Sequence, residues 1–255
     1  MKRIIKIIST VLFIVILVNF KTYAKENKPI SELNEKVVFL TFDDGPSFNN
    51  TDKILDILES NNVKATFCVI GKNAEENLNT LKRILNLNMA VIPHCYNHEY
   101  HTLYSSVNYY INDLKKCMEI IQSAGGSDMK HKFVRMPGGS DNHVANSSIL
   151  KMIRSELRNE EIDYIDWNVD SGDALRTLVP QCEIEQTIRK QAGKREVEVV
   201  LMHDLENKKT TTASLQSIIS LYKKLGYEFK SLNDISDEEY SYLRKHNVID
   251  RVKRK

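Results

Sequence analysis

At 255 residues the chain is long enough for one large domain or two small ones. A formal net charge of +2 excludes the strongly basic surface that nucleic-acid binding needs, and 42% hydrophobic content is ordinary for a globular core. The four cysteines, Cys68, Cys95, Cys117 and Cys182, are widely spaced and form no CxxC pair, which excludes a zinc knuckle and a dithiol redox motif.

The chain starts with a basic head, Met1-Lys2-Arg3, and a mostly Ile, Leu, Val and Phe stretch over residues 7–20. Thr22-Tyr23-Ala24 then places small residues where a signal peptidase reads. This predicts a signal peptide over residues 1–24, with an uncleaved membrane anchor as the alternative. Either way the domain is expected outside the cytoplasm, secreted or held at the cell wall or membrane. Removing those residues takes away four basic side chains and no acid, leaving a nearly neutral domain. Export leaves a disulfide among the cysteines open.

Residues 25–35 are polar and read as a linker. The apolar run Val37-Val38-Phe39-Leu40 predicts a buried strand, closed by Thr41-Phe42-Asp43-Asp44-Gly45-Pro46. Two neighbouring carboxylates that converge on one site repel unless a cation or a proton compensates, so the pair points to a metal site or an acid/base pair; an acidic turn is the simpler reading. Helical periodicity follows over residues 51–61, a strand over 65–70 and a helix over 73–87. A short strand over 90–92 runs into Pro93-His94. The apolar face of 107–124 predicts a long helix stopped by Gly125-Gly126. Strands over 133–135, 164–167, 197–202 and 227–229 alternate with helices over 146–159, 180–190 and 211–225. Residues 236–255 form a charged tail, solvated helix or disordered.

Repeated strand–helix alternation predicts an α/β fold with about seven parallel strands and crossover helices. The polar residues of interest sit at carboxyl ends of strands, which a (β/α) barrel gathers on one face. No GxGxxG follows the first strand, which argues against a dinucleotide fold.

His94 and His98 lie four apart, a spacing that puts both imidazoles on one side of a helical turn; with Asp44 they make a candidate divalent-metal site. Two surface histidines are the bland alternative. His203 ends Val199-Val200-Leu201-Met202, and Asp173 could fix its tautomer. Arg135 is a surface salt bridge or a partner for Asp43 or Asp173. Gly138 and Gly139 form a turn or expose an N–H to a developing oxyanion. Trp167, the single tryptophan, is core or the wall of an acyl pocket.

The set Thr41-Phe42-Asp43-Asp44-Gly45, His94-Cys95-Tyr96-Asn97-His98, Arg135-Met136-Pro137-Gly138-Gly139, Trp167 to Asp173 and Leu201-Met202-His203 resembles the polysaccharide deacetylases of the NodB-homology, carbohydrate esterase family 4 type. The resemblance spans about residues 36–232. It implies a distorted (β/α) barrel that hydrolyses N-acetyl groups of an amino-sugar polysaccharide, peptidoglycan first, as a monomer with zinc or cobalt. It makes Asp44, His94 and His98 the metal ligands, Asp43 the general base held by Arg135, and His203 the general acid held by Asp173. Gly138 would bind the oxyanion, and Trp167 and Leu201 would line the acetyl pocket. Pro93 and Cys95 stand where the family usually has Asn and a hydroxyl residue, so Cys95 is also considered as a fourth, soft ligand and His101 as a spare imidazole. Alternatives are a catalytically impaired glycan-binding homologue and a deacetylase of chitin, exopolysaccharide or a small N-acyl compound.

Overall fold

The computed structural model describes residues 35–126 and 129–251. The predicted signal peptide and linker lie outside the described residues, apart from residue 35. Among the described residues, no helix is long and apolar enough to cross a membrane.

Strand β1 (Lys36–Asp43) is the axis of the sheet. Its alternation sorts side chains by parity. Val38, Leu40 and Phe42 join the core beneath the helices, so Val37, Phe39, Thr41 and Asp43 face the other way, into the barrel. β2 (Thr66–Ile70), β3 (Ala90–Cys95) and β7 (Val197–His203) extend the same parallel sheet, in the order β3-β2-β1-β7, followed by the two-residue β6 (Val169–Asp170). β8 (Tyr227–Lys230) pairs with the first half of β1, while β2 pairs with its last three residues. One strand edge is thereby divided between two neighbours, a distortion that a regular barrel lacks.

β4 (Lys132–Val134) and β5 (Ile162–Tyr164) form a separate parallel pair. The Arg135 N–H reaches the Pro93 carbonyl at 3.1 Å and carries this pair alongside β3. The α/β class and the distorted parallel barrel expected from the sequence are what the structure has. Its fifth strand sits two residues earlier than the periodicity placed it, and β6 went unread because two residues carry no periodic signal.

The crossover helices are α1 (Asn50–Ser60), α2 (Gly71–Glu76), α3 (Leu78–Asn86), α4 (Tyr100–Leu103), α5 (Val107–Ser123), α6 (Ser147–Asn159), α7 (Gln181–Gln191) and α8 (Lys209–Lys224). Their buried faces carry the expected apolar residues, such as Ile54, Leu55 and Leu58 on α1 and Leu215, Ile218 and Ile219 on α8. Burying each such side chain contributes about 1.5–3 kcal/mol. Phe42 and Phe67 stack across β1 and β2 at 5.3 Å and tie strand to strand under the helix layer.

The charged C-terminal segment is a helix, α9 (Asp237–Lys245), and it is docked rather than solvated. Ser236 and Glu239 close a capping box, with acids in the first turn and Arg244 and Lys245 in the last, both matched to the helix dipole. Beyond it, Val248 and Ile249 are 2% and 1% exposed. Ile249 bridges Ile165 antiparallel, and the Asp166 N–H donates to the Val248 carbonyl at 2.8 Å. The strap covers the seam where β5 and β6 do not pair. A charge count missed it because only a two-residue apolar island marks the buried part.

Candidate active site

Asp43 and His203 are register partners on adjacent strands, so the sheet itself fixes them side by side at their carboxyl ends. Asp43 is 3% exposed, with both carboxylate oxygens 3.2 and 3.3 Å from Arg135 Nη1. Arg135 is not on the surface. It is fully buried, donating from Nε to the Ile165 carbonyl at 2.7 Å and from Nη2 to Thr41 Oγ1 and the Asp166 carbonyl. Burial opposes its charge, and Asp43 is the leading partner that more than offsets this, so the guanidinium's pKa rises.

Asp44 follows with φ 77°, the left-handed region that Asp tolerates better than most residues. Its N–H bonds to the Cys68 carbonyl and its carbonyl accepts from Asn73 Nδ2, which hold the backbone in this shape. The turn aims Oδ1 at two imidazoles: His94 Nε2 at 3.4 Å and His98 Nε2 at 3.5 Å. Oδ1 is buried and has no hydrogen-bond partner among the described residues. Burial would raise the pKa of Asp44, yet the neighbouring imidazoles, His94 foremost, hold it well below the carboxylate range.

His94 points inward because β3 bulges after its pairing of Pro93 with Val69, where Cys95 takes the next partner, Ile70. Its Nδ1 lies 2.6 Å from the Arg135 carbonyl, so Nδ1–H donates and Nε2 keeps its lone pair for a ligand. His98 lies in the loop after β3, not on a helix; a strand end and a turn meet the four-residue spacing instead. Burial and the neighbouring His94 lower the pKa of His98, favouring the neutral, ligating form. The Asp44, His94 and His98 donor atoms lie within 4.8 Å of one another, and the orphaned buried carboxylate oxygen between two free Nε2 atoms fits a divalent cation.

Cys95 does not join this set. It is packed with Ile70, Tyr110 and Leu114 on the far side of β3, and burial pushes its thiol up. His101 is exposed on α4 and is also outside it. All four cysteines are free thiols.

The loop between the two histidines is braced by a residue the sequence reading passed over. Asp113 of α5 accepts from the Tyr96 and Asn97 N–H groups at 2.6 and 3.1 Å. An acid among Tyr110, Leu114 and Cys117 on an apolar helix face was the available signal. Asp113→Ala should weaken binding of a divalent cation at this site by about 10- to 100-fold, as losing a partner that orients a ligand does. A zinc titration checks this, and unchanged affinity would show that the loop holds itself.

His203 Nδ1 lies 2.7 Å from Asp173 Oδ1, and its backbone N–H donates to Asp173 Oδ2 at 2.8 Å. Thr211 Oγ1 donates to Oδ2 as well. Burial works against charging His203, but the hydrogen bond and charge of Asp173 raise its pKa to about 9. Asp204, also unread in the sequence, is fully buried and accepts from the Thr51 and Ser47 hydroxyls at 2.6 and 3.2 Å. Burial pushes its carboxyl up to about 8. A Cβ on Gly45 would lie 2.5 Å from its Oδ2, which explains the glycine after the acidic pair.

Gly138 and Gly139 turn with φ 75° and 89°. The Gly138 N–H makes no backbone hydrogen bond among the described residues, while the Trp167 ring packs where a Gly139 side chain would be. Asp43, Asp44, His94, His98, Gly138, Trp167, Leu201 and His203 line one cavity of about 410 Å³, with Tyr100 edge-on to His98 and the largely exposed Leu175 at the rim. Arg135 and Asp173 stand behind this lining, on Asp43 and His203.

Comparison with known proteins matches this arrangement to one family. The polysaccharide deacetylase family model covers residues 31–154. A peptidoglycan-N-acetylglucosamine deacetylase of Bacillus cereus is 31% identical over 209 residues, 79% of this chain and 71% of that protein. The chain belongs to the polysaccharide deacetylase family. The catalytic domain of peptidoglycan N-acetylglucosamine deacetylase from Eubacterium rectale superposes with a TM-score of 0.73 at 30% identity, covering 81% of this chain and 91% of that one. The peptidoglycan-N-acetylglucosamine deacetylase of Listeria monocytogenes is 30% identical over 211 residues; these span 83% of this chain but 41% of that protein.

Proposed function

We propose that this protein is an exported, metal-dependent hydrolase that removes N-acetyl groups from an amino-sugar polysaccharide, with peptidoglycan as the substrate and residues 1–24 as the export signal. The observation that carries this reading is the orphaned Asp44 carboxylate oxygen between His94 and His98, in one cavity with the Asp43–Arg135 and His203–Asp173 pairs. The peptidoglycan deacetylase relatives support the choice of polymer.

In this mechanism Asp44, His94 and His98 would hold the cation, zinc or cobalt by the nature of the donors. A cation held there supplies Lewis acidity, lowering the pKa of water and stabilising negative charge on oxygen. Asp43, oriented by Arg135, takes the proton from the attacking water. The Gly138 N–H donates to the developing oxyanion, and Trp167 and Leu201 enclose the acetyl methyl. As the carbon–nitrogen bond breaks, the imidazolium of His203 gives its proton to the sugar nitrogen, leaving acetate and a free amine.

The test is acetate release from purified peptidoglycan by protein stripped of metal and then given zinc or cobalt. Release should fall to background on stripping and return with the ion. Metal binding without release would redirect the reading to another N-acetyl substrate; neither binding nor release would refute it.

A further inference from the structure

The cavity's oxyanion loop and aromatic wall are held from behind by the end of the chain. Arg251 lines no part of the cavity. Its Nε donates to the Asn247 carbonyl and lies 3.1 Å from Asp166 Oδ2 as an ion pair, and its Nη2 donates to the Trp167 carbonyl at 3.2 Å. Nη1 meets both oxygens of Asp141 at 3.3 Å. The whole fork of the guanidinium is therefore engaged, a geometry that lysine cannot reproduce.

Asp166 is the hub of this contact. It is 1% exposed, and its two carboxylate oxygens accept from the Ser140 N–H at 2.9 Å and the Ser140 hydroxyl at 2.5 Å. Ser140 directly follows Gly138-Gly139, which turn at positive φ, and the loop is also held on its other side by the Tyr104 hydroxyl on the Pro137 carbonyl and Arg154 on the Ser140 carbonyl. Trp167 directly follows Asp166, and its ring packs on Gly139. One buried carboxylate thus anchors the loop that carries the Gly138 N–H, while the residue after it supplies the wall facing that N–H. Asp166 makes its salt bridge, among the described residues, with Arg251. The strap that delivers Arg251 is itself fixed by the Ile165–Ile249 bridge and by the Asp250 N–H on the Tyr164 carbonyl at 2.9 Å.

We propose that Arg251 is a positioning residue for catalysis: through Asp166 and the Trp167 carbonyl it sets the Gly138 N–H and the Trp167 ring at the distance the oxyanion and acetyl group require. This rests on the deacetylase reading, but one of its two tests does not. Trp167 is the single tryptophan, so its fluorescence reports the wall directly, whatever the reaction.

The experiment compares full-length, zinc-loaded protein with Arg251→Met and Arg251→Lys by acrylamide quenching of Trp167, by kcat and KM for acetate release, and by zinc titration. Displacing a catalytic group by about 1 Å costs about 100-fold in rate, and the expected loss in kcat for Arg251→Met is about 10- to 100-fold. Zinc affinity should be unchanged and Trp167 more open to quencher. Arg251→Lys, which keeps the charge on Asp166 and loses the fork, should recover part of both. Should Arg251→Met not fold, the lysine variant carries both readouts with the same direction expected. Wild-type quenching in the variants would overturn the proposal, and so would kcat within twofold of wild type. If the wild-type protein releases no acetate, the reaction assignment fails, and quenching alone decides whether Arg251 holds the wall.

Discussion

Asp43→Asn should lower acetate release by about 100-fold or more while zinc still binds, because an amide cannot take a proton from water. The substitution keeps the shape and leaves Asp44, His94 and His98 in place, so the site loses its base rather than its cation. It also leaves the buried Arg135 without its carboxylate. Breaking a buried ion pair from one side costs about 3–5 kcal/mol, and the low end applies because Arg135 keeps its hydrogen bonds to Thr41 and to the Ile165 and Asp166 carbonyls. Three measurements on one preparation separate these effects: turnover with saturating zinc, a zinc titration and thermal unfolding. A folded, zinc-loaded variant retaining more than about a tenth of the wild-type rate would remove Asp43 from the role of base.

The second large effect is one of pH. With His203 at a pKa of about 9, the imidazolium is the main form at pH 8, and activity should fall only as pH rises through about 9. In Asp173→Asn burial still lowers the pKa and the leading raising partner is gone, leaving only the charges of Asp43 and Asp44 to oppose burial, so the pKa of His203 should fall from about 9 toward its ordinary 6.5. At that ordinary value the protonated fraction at pH 8 is about 3% instead of about nine-tenths, so the rate should fall by up to about 30-fold and the alkaline limb should move to lower pH. The sign for stability follows from the same shift. The folded pKa of His203 lies above its unfolded value, so its contribution is fully present below pH 6.5 and is lost as pH rises through about 9. Asp173 runs the other way: its pKa is lowered, so its contribution is present above the ordinary carboxylate value of 3.8 and is lost on acidification below it. Asp173→Asn should therefore lack most of the alkaline loss of stability expected of the wild-type protein between pH 6.5 and 9. A pH–rate profile and unfolding at several pH values check both, and an unmoved alkaline limb would exclude His203 as the acid.

Much of this was legible in the sequence, and what was legible has a common cause. Strands such as β1 and β7 are long apolar runs that end at a charged residue, so both the element and its functional end announce themselves. Asp43, Asp44, His94 and His203 all sit at such ends. The supporting residues announce themselves less, because their partners are distant in the chain. Asp113 serves a loop 16 and 17 residues away, and Asp204 reaches back to Thr51 across 153. Each is an acid in an otherwise apolar neighbourhood, which marks it as unusual without naming what it binds. Cys95 went the opposite way. Proximity to two histidines suggested a ligand, but strand alternation across the bulge turns it to the far side.

The pairing of Asp43 with His203 across β1 and β7 has a consequence for how this protein can change. Their separation is set by seven consecutive register pairs between two parallel strands. Altering it would mean slipping a strand, which would also invert every side chain between barrel and helix layer. The segments that bear Tyr100 and Leu175 at the rim carry no such register constraint. Descendants of this chain can therefore trade one polymer for another by rewriting the rim, while the atoms that move protons stay where the ladder put them.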